Sequence, residues 1–189
     1  MESIEFFQEY KSIFIITHVF SVIVGMGSAL ISDILFNLFI KDKKIDSIEN
    51  RTLSYLSNII WFSLYLILFS GIAIFFSNIT KYMNSPKFLL KIFIVCFIIL
   101  NGYLFQRFIH PSLKKINFTD TNSHHKYVRI RKLSFALGAV SLISWISAFI
   151  LGSIPSIPVS FFVGLGIYFS LLFFGIFVSQ VIEYKITHK

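Results

Sequence analysis

Five long apolar stretches constrain this chain more than any other feature of its sequence. Crossing the hydrocarbon core of a bilayer takes about 20 predominantly apolar residues in a helix. The stretches that meet this length are Ile13–Ile40, Leu53–Phe76, Phe88–Phe105, Leu133–Leu151 and Val159–Ile182. The sequence lacks the short alternating segments typical of a membrane β-barrel. It therefore predicts an all-α fold, a bundle of five transmembrane helices forming a single transmembrane domain over residues 1–189.

Composition supports lipid as the solvent for most of the chain. Of the 189 residues, 56% are hydrophobic and 14% are charged, whereas soluble domains carry about 25% charged residues. A soluble core of this size would not bury so much apolar surface. The single cysteine, Cys96, lies within an apolar run, which excludes an internal disulfide and a thiolate metal cluster.

The distribution of basic residues predicts the orientation. Of the 17 Lys and Arg residues, 13 fall in the first loop, the third loop and the C-terminal tail, which share one side of the membrane. Basic loops mark the cytoplasmic side, so we expect the N-terminus outside and the C-terminus in the cytoplasm. Anionic lipid is a sufficient partner for such loops. We therefore do not interpret the formal charge of +8 as a sign of nucleic-acid binding.

The first span carries the most informative pattern. Polar and small residues recur along one face at steps of three and four residues: His18, Ser21, Gly25, Ser28 and Ser32. Helix packing accounts for the small residues, with Gly25, Gly27 and Ser28 as candidates for close backbone approach. Packing does not explain why the ionisable residues His18 and Asp33 occur in this span, because placing an ionisable group inside a membrane has a high solvation cost.

His18 and Asp33 are 15 residues apart, which is about 22 Å along a helix, and they point within about 60° of each other. We expect them to line one path or cleft. An Asp33 that is solvated, or paired with Arg107, is an equally open interpretation.

Other polar residues in the spans favour structural roles. Lys91 lies near the outer end of the third span, where snorkelling of its ammonium group to the head groups is the favoured interpretation. Asn101, deeper in the same span, is typical of an amide that hydrogen-bonds another helix. In the fourth span, Gly138, Ser141 and Gly152 repeat the small-residue spacing expected of helix packing.

Several chemistries find no support in the sequence. There is no phosphate loop, dinucleotide fingerprint, HExxH motif or nucleophile elbow, so a non-enzymatic protein is favoured. Only His18 lies well within a span, which disfavours a haem held by two histidines, and no metal site is predicted beyond His18 as a single candidate ligand. The His124–His125 pair is more typical of a solvated loop than of a metal site.

Three segments carry a resemblance to a known family. They are GMGSALISD (Gly25 to Asp33), KIFIVCFIILNG (Lys91 to Gly102) and RKLSFALGAVSLISWISAFILG (Arg131 to Gly152). With the histidine early in the first span, they resemble a group of small bacterial membrane proteins distantly similar to the copper-resistance CopD-like proteins. The resemblance implies a helical bundle in a bacterial inner membrane, with His18 and Asp33 at family-type positions, and copper or haem handling. The chain departs from a copper carrier in having no Met- or His-rich outer loop.

These observations lead to three functional hypotheses. The first is a small transporter or channel-type protein, or a subunit of one, whose polar face on the first span lines a translocation or proton path. Five helices are few for a transporter, so we expect a homo-oligomer or a partner membrane subunit. The second is a membrane redox or metal protein in which His18 binds copper or haem, although the sequence requires no cofactor. The third is a structural or assembly subunit that recruits a partner through the loop Arg107–Lys132.

Overall fold

A computed structural model describes residues 2–39, 46–109, 124–155 and 159–187, and the regular secondary structure in these ranges is entirely helical. We number the α-helices in chain order. They are α1 (Glu2–Glu9), α2 (Lys11–Phe39), α3 (Ser47–Phe76), α4 (Ile79–Met83), α5 (Pro86–Leu104), α6 (His124–Ser153) and α7 (Phe161–Thr187). A π-helical turn, Phe105–Ile109, continues α5.

Five of these helices are long and apolar enough to cross a membrane, which confirms the predicted number of spans. The apolar segments are Lys11–Phe39, Ser47–Phe76, Pro86–Ile109, Val128–Ser153 and Phe161–Lys185. The first has 29 residues and is therefore about 44 Å long, more than the hydrocarbon thickness of about 30 Å. Ile40, the predicted last residue of this span, lies outside the described residues.

Capping residues explain where α3 and α5 begin. The Asp46 side chain accepts a hydrogen bond from the backbone of α3, and Asp46 forms a capping box with Glu49. These contacts satisfy backbone amide groups that have no partner within the helix. At α5, Ser85 is the N-cap and Pro86 occupies the first turn, as predicted from the suitability of proline for a helix start.

Two predicted loops contain more helix than expected. The polar connection between the second and third spans holds the short helix α4. The predicted loop Arg107–Lys132 is helical at both ends: the π-helical turn extends to Ile109, and α6 begins at His124. Lys and Arg are good helix formers, so a basic segment can remain helical beyond the hydrocarbon. The side chains of His124 and His125 lie outside the described part of the chain.

The helices pack as two groups, and the backbones of the two groups come closest between α2 and α6. Helix α2 packs along α3, whereas α6 packs on both α5 and α7, and α2 touches α6. Although α3 and α5 are consecutive spans, they make few contacts with each other in the described ranges. The main core lies between the groups and contains Ala29, Leu64, Ile67, Leu90, Ile94, Ile98, Trp145, Tyr168 and Leu172. Most other large apolar side chains face outwards, as expected for helices whose solvent is lipid.

Candidate functional site

A large cavity separates α3 from α5 in one half of the bundle. We call the side on which α2, α5 and α7 begin the N-side, and the opposite side the C-side. The N-side cavity has a volume of about 720 Å³, and apolar side chains of α2, α3, α5 and α6 form most of its wall. Two basic side chains, His18 of α2 and Lys91 of α5, line it together. Their positions are near enough for the two groups to interact electrostatically.

The hydrogen bonds around His18 indicate which ring nitrogen carries the proton. Ser70 Oγ lies 2.6 Å from the Leu66 carbonyl oxygen and donates its single hydrogen there. His18 Nδ1 is 3.0 Å from the same Ser70 oxygen. Because the Ser70 hydroxyl has no second hydrogen to donate, its oxygen accepts a hydrogen bond from His18 Nδ1. In the neutral ring, Nε2 therefore keeps its lone pair.

Gly71 allows α3 to approach the imidazole closely. A Cβ atom at Gly71 would lie 3.5 Å from His18 Cε1 and 3.7 Å from Nδ1. These two ring atoms consequently face α3, whereas Nε2 lies more than 4 Å from that Cβ position.

Lys91 and Lys87, which lie one turn apart in α5, differ in their hydrogen-bond partners. The Lys87 ammonium donates to the carbonyl oxygens of Ile154 and Pro155, just beyond the end of α6, with a separation of 3.3 Å to Pro155. Lys91 is half-buried and lines the cavity. A Cβ atom at Gly152 would lie 4.0 Å from Lys91 Nζ. Within the described ranges, Lys91 has no hydrogen-bond or ion-pair partner.

A smaller cleft of about 80 Å³ occupies the C-side half of the bundle. Its polar lining residues are Ser32, Asp33, Ser57, Asn101, Gln106 and Ser141. Asp33 approaches α6 where that helix has a glycine, since a Cβ atom at Gly138 would lie 3.3 Å from Asp33 Oδ1. The described residues contain no hydrogen bond or ion pair to the Asp33 carboxylate, including none to Arg107.

Asn101 combines a helix-to-helix hydrogen bond with an unsatisfied acceptor. Its Nδ2 donates to the Leu137 carbonyl oxygen of α6 at 3.1 Å, the kind of interhelical bond predicted for this amide. Its buried Oδ1 has no hydrogen-bond partner among the described residues. Since a buried acceptor without a donor is costly, the cleft beside Asp33 is suited to a group that donates a hydrogen bond.

One layer of apolar side chains lies between the N-side cavity and the C-side cleft. Leu64 of α3, Ile98 of α5 and Trp145 of α6 line both spaces, and each is at most 4% exposed. We call these three residues the partition. Gly25 of α2 makes room for the indole, because a Cβ atom there would lie 2.6 Å from Trp145 Cη2.

The residues predicted to mediate helix packing differ from one another in their surroundings. Gly25 and Ser28 are buried, whereas a Cβ atom at Gly27 would meet nothing within 4 Å. Gly138 and Ser141 line the C-side cleft, and Gly152 lines the N-side cavity.

One buried ion pair was not predicted from the sequence. Arg131, expected in the third loop, lies near the start of α6, and its Nε donates to Glu183 Oε1 of α7 at 2.6 Å. Both side chains are buried. The available signal was Glu183 itself, the only carboxylate in the last helix.

Five apolar spans, with a cavity and a cleft between the helices, define a multi-pass helical membrane protein. Comparisons with protein-family models, curated proteins and solved structures found no match. The described residues contain no group of three His, Cys, Asp or Glu side chains arranged to hold a metal ion. The copper or haem hypothesis therefore gains no ligand set from this part of the chain, and it stays a prediction.

Proposed function

We propose that this protein is a membrane transport protein, in which the N-side cavity and the C-side cleft are the two halves of one path. The observation that carries the proposal is the partition: of the described residues, only Leu64, Ile98 and Trp145 line both the N-side cavity and the C-side cleft. A path that is closed at one layer, with space on either side, suits alternating access of a solute.

The ionisable residues of α2 support this function. His18 borders the space on one side of the partition, and Asp33 borders the space on the other. Ionisable groups within a membrane usually face a cavity or a conduction pathway, because lipid does not solvate them. An imidazole lone pair and an unpaired carboxylate are both suited to accepting a proton during transport.

The packing of the helices supplies a means of opening the partition. The α2–α3 pair meets the group α5–α6–α7 chiefly where α2 touches α6, and the Gly25–Trp145 contact belongs to this junction. Rocking of one helix group against the other is a common mode of alternating access. Such a motion would move Trp145 relative to α2 and connect the two spaces.

The charge distribution and the family resemblance set the cellular context of the proposal. We propose a bacterial inner membrane, with the N-side facing outwards and the C-side facing the cytoplasm. A homo-oligomer or a partner subunit remains part of the proposal, because five spans are few for a transporter.

Proton flux into proteoliposomes tests the proposal, with a trapped pH-sensitive dye and an imposed potassium diffusion potential. We expect the wild-type protein to carry protons faster than empty liposomes, and Trp145→Ala to increase the rate by widening the partition. His18→Ala and Asp33→Asn should each reduce the flux. Glu9→Gln is a matched control, because Glu9 is exposed in α1 and lines neither space.

One combination of results would contradict the proposed transport path. If Trp145→Ala is as impermeable as empty liposomes, and if His18→Ala and Asp33→Asn both behave as the wild type does, the two spaces do not form a path.

A further inference from the structure

We infer that the N-side cavity binds a single-chain amphiphile with a carboxylate head group, held by Lys91 and His18. The acyl chain would lie against the apolar wall between α3 and α5. This inference deepens the proposed function by naming a ligand class for one half of the path. Only the statement that the amphiphile is also transported rests on that function, since binding does not require transport.

Charge complementarity identifies the head group. Among the described residues, no Asp or Glu lines the cavity, whereas His18 and Lys91 both do. The Lys91 ammonium has no acceptor among the described residues, unlike that of Lys87, which donates to two carbonyl oxygens. A half-buried ammonium group that faces an apolar wall and has no acceptor is costly, and a carboxylate would supply that acceptor through a charge-assisted hydrogen bond.

His18 complements the same head group through its second nitrogen. Its Nδ1 is committed to Ser70, so Nε2 is the atom left for a ligand. When an undissociated acid enters, the proton on its oxygen passes to the Nε2 lone pair. The products are an imidazolium and a carboxylate, and the net charge is unchanged. The carboxylate then accepts hydrogen bonds from the imidazolium and from the Lys91 ammonium.

The volume of the cavity suits a ligand with one acyl chain. It is about 720 Å³, within the range of about 300–1,000 Å³ that is usual for small-molecule sites. A phospholipid carries two acyl chains and is correspondingly larger.

The lipid phase gives such a ligand access. Val19, Ile72 and Ile92 line the cavity, and about half of the surface of each is exposed, so the cavity is not closed off by protein at these residues. They belong to α2, α3 and α5, and the last two of these helices make few contacts with each other. The cavity consequently opens towards the acyl chains of the bilayer, where a fatty acid is dissolved.

Quenching of Trp145 tests the inference directly. The chain has two tryptophans, and Trp61 lines only the C-side cleft, so Trp61→Phe leaves Trp145 as the single fluorophore. Gly25, beside the indole, is seven residues after His18, or about 10 Å deeper along α2. Palmitic acid brominated at mid-chain would place its quencher near this depth. We expect saturable quenching in lipid nanodiscs by the acid, and only a non-saturable component by its methyl ester.

Lys91 and Lys87 provide a matched pair of variants. In the Trp61→Phe background, Lys91→Met should raise the half-saturation concentration of the acid by about tenfold or more, as expected for loss of a charge-assisted hydrogen bond. Lys91→Arg, which keeps the charge, should stay within a few-fold of the parent. Lys87→Met should bind as the parent does, because the Lys87 ammonium already donates to carbonyl groups.

Three results would overturn the inference. They are equal saturable quenching by the acid and the ester, equal effects of Lys87→Met and Lys91→Met, and saturable quenching by a brominated phosphatidylcholine, which would identify a two-chain lipid as the occupant. An unchanged Trp145 emission maximum without ligand checks that each variant is folded. Binding without proton flux would refute only the proposed transport, whereas flux without saturable quenching would refute only this inference.

Discussion

The contact between Gly25 and Trp145 leads to a quantitative prediction about stability. An added Cβ atom at Gly25 would lie 2.6 Å from Trp145 Cη2 and 3.1 Å from Ser63 Cβ. Overpacking of a buried site costs about 1–3 kcal/mol. Replacing a mid-helix glycine with alanine also contributes about 1 kcal/mol of stabilisation through helix propensity. The measured effect of Gly25→Ala therefore combines two opposing terms.

Gly27 separates these two terms, because it lies in the same helix and an added Cβ atom there would meet nothing within 4 Å. The propensity term is similar for both glycines and cancels in the difference. We therefore expect the free energy of unfolding of Gly25→Ala to be about 1–3 kcal/mol lower than that of Gly27→Ala. Gly27→Ala itself should be as stable as the wild type or more stable, by up to about 1 kcal/mol.

Reversible unfolding in mixed micelles, followed by Trp145 fluorescence in the Trp61→Phe background, measures this difference. Gly25→Ala should also shift the emission of the folded protein, because the indole must move to admit the new methyl group. If both alanine variants have the same unfolding free energy and the same emission maximum, Trp145 does not pack against Gly25, and the partition is not arranged as described.

Two further predictions concern polar contacts. Glu183→Gln should lower the free energy of unfolding by about 3–5 kcal/mol, because it leaves the buried Arg131 charge without its carboxylate. The double variant Arg131→Met, Glu183→Leu should recover most of that loss; in thermal unfolding, a double variant no more stable than Glu183→Gln would contradict the ion-pair account. Ser70→Ala should remove the side-chain partner of His18 Nδ1, so the imidazole nitrogen signals in NMR should shift, whereas an unchanged spectrum would mean that Ser70 does not orient the ring.

Hydropathy predicted the five spans because lipid imposes a minimum length on every apolar helix. It predicted the helix ends less well. The fourth span was expected to begin at Leu133, but α6 begins at His124. Helix formation outside the hydrocarbon depends on residues such as Lys and Arg, which the hydropathy of the span does not report.

The candidate site was predictable only in part, for a similar physical reason. His18 and Asp33 were found because ionisable residues are conspicuous in apolar helices. Their separation into two spaces by Trp145 was not predictable, because it depends on which helices are neighbours. Likewise, the sequence could not distinguish Lys87 from Lys91. That difference arises from carbonyl groups more than 60 residues away, at Ile154 and Pro155.

The division of the bundle into two helix groups has a consequence for biogenesis. Each group is continuous in the chain, with α2–α3 ending at Phe76 and α5–α7 beginning at Pro86. During synthesis, the first pair is complete before any span of the second group has emerged, so it can form a hairpin in the membrane by itself. The junction between α2 and α6 would then form last, joining two preassembled halves. Co-expression of the chain as two fragments, cut within Asn78–Asn84, should accordingly yield a complex that purifies together.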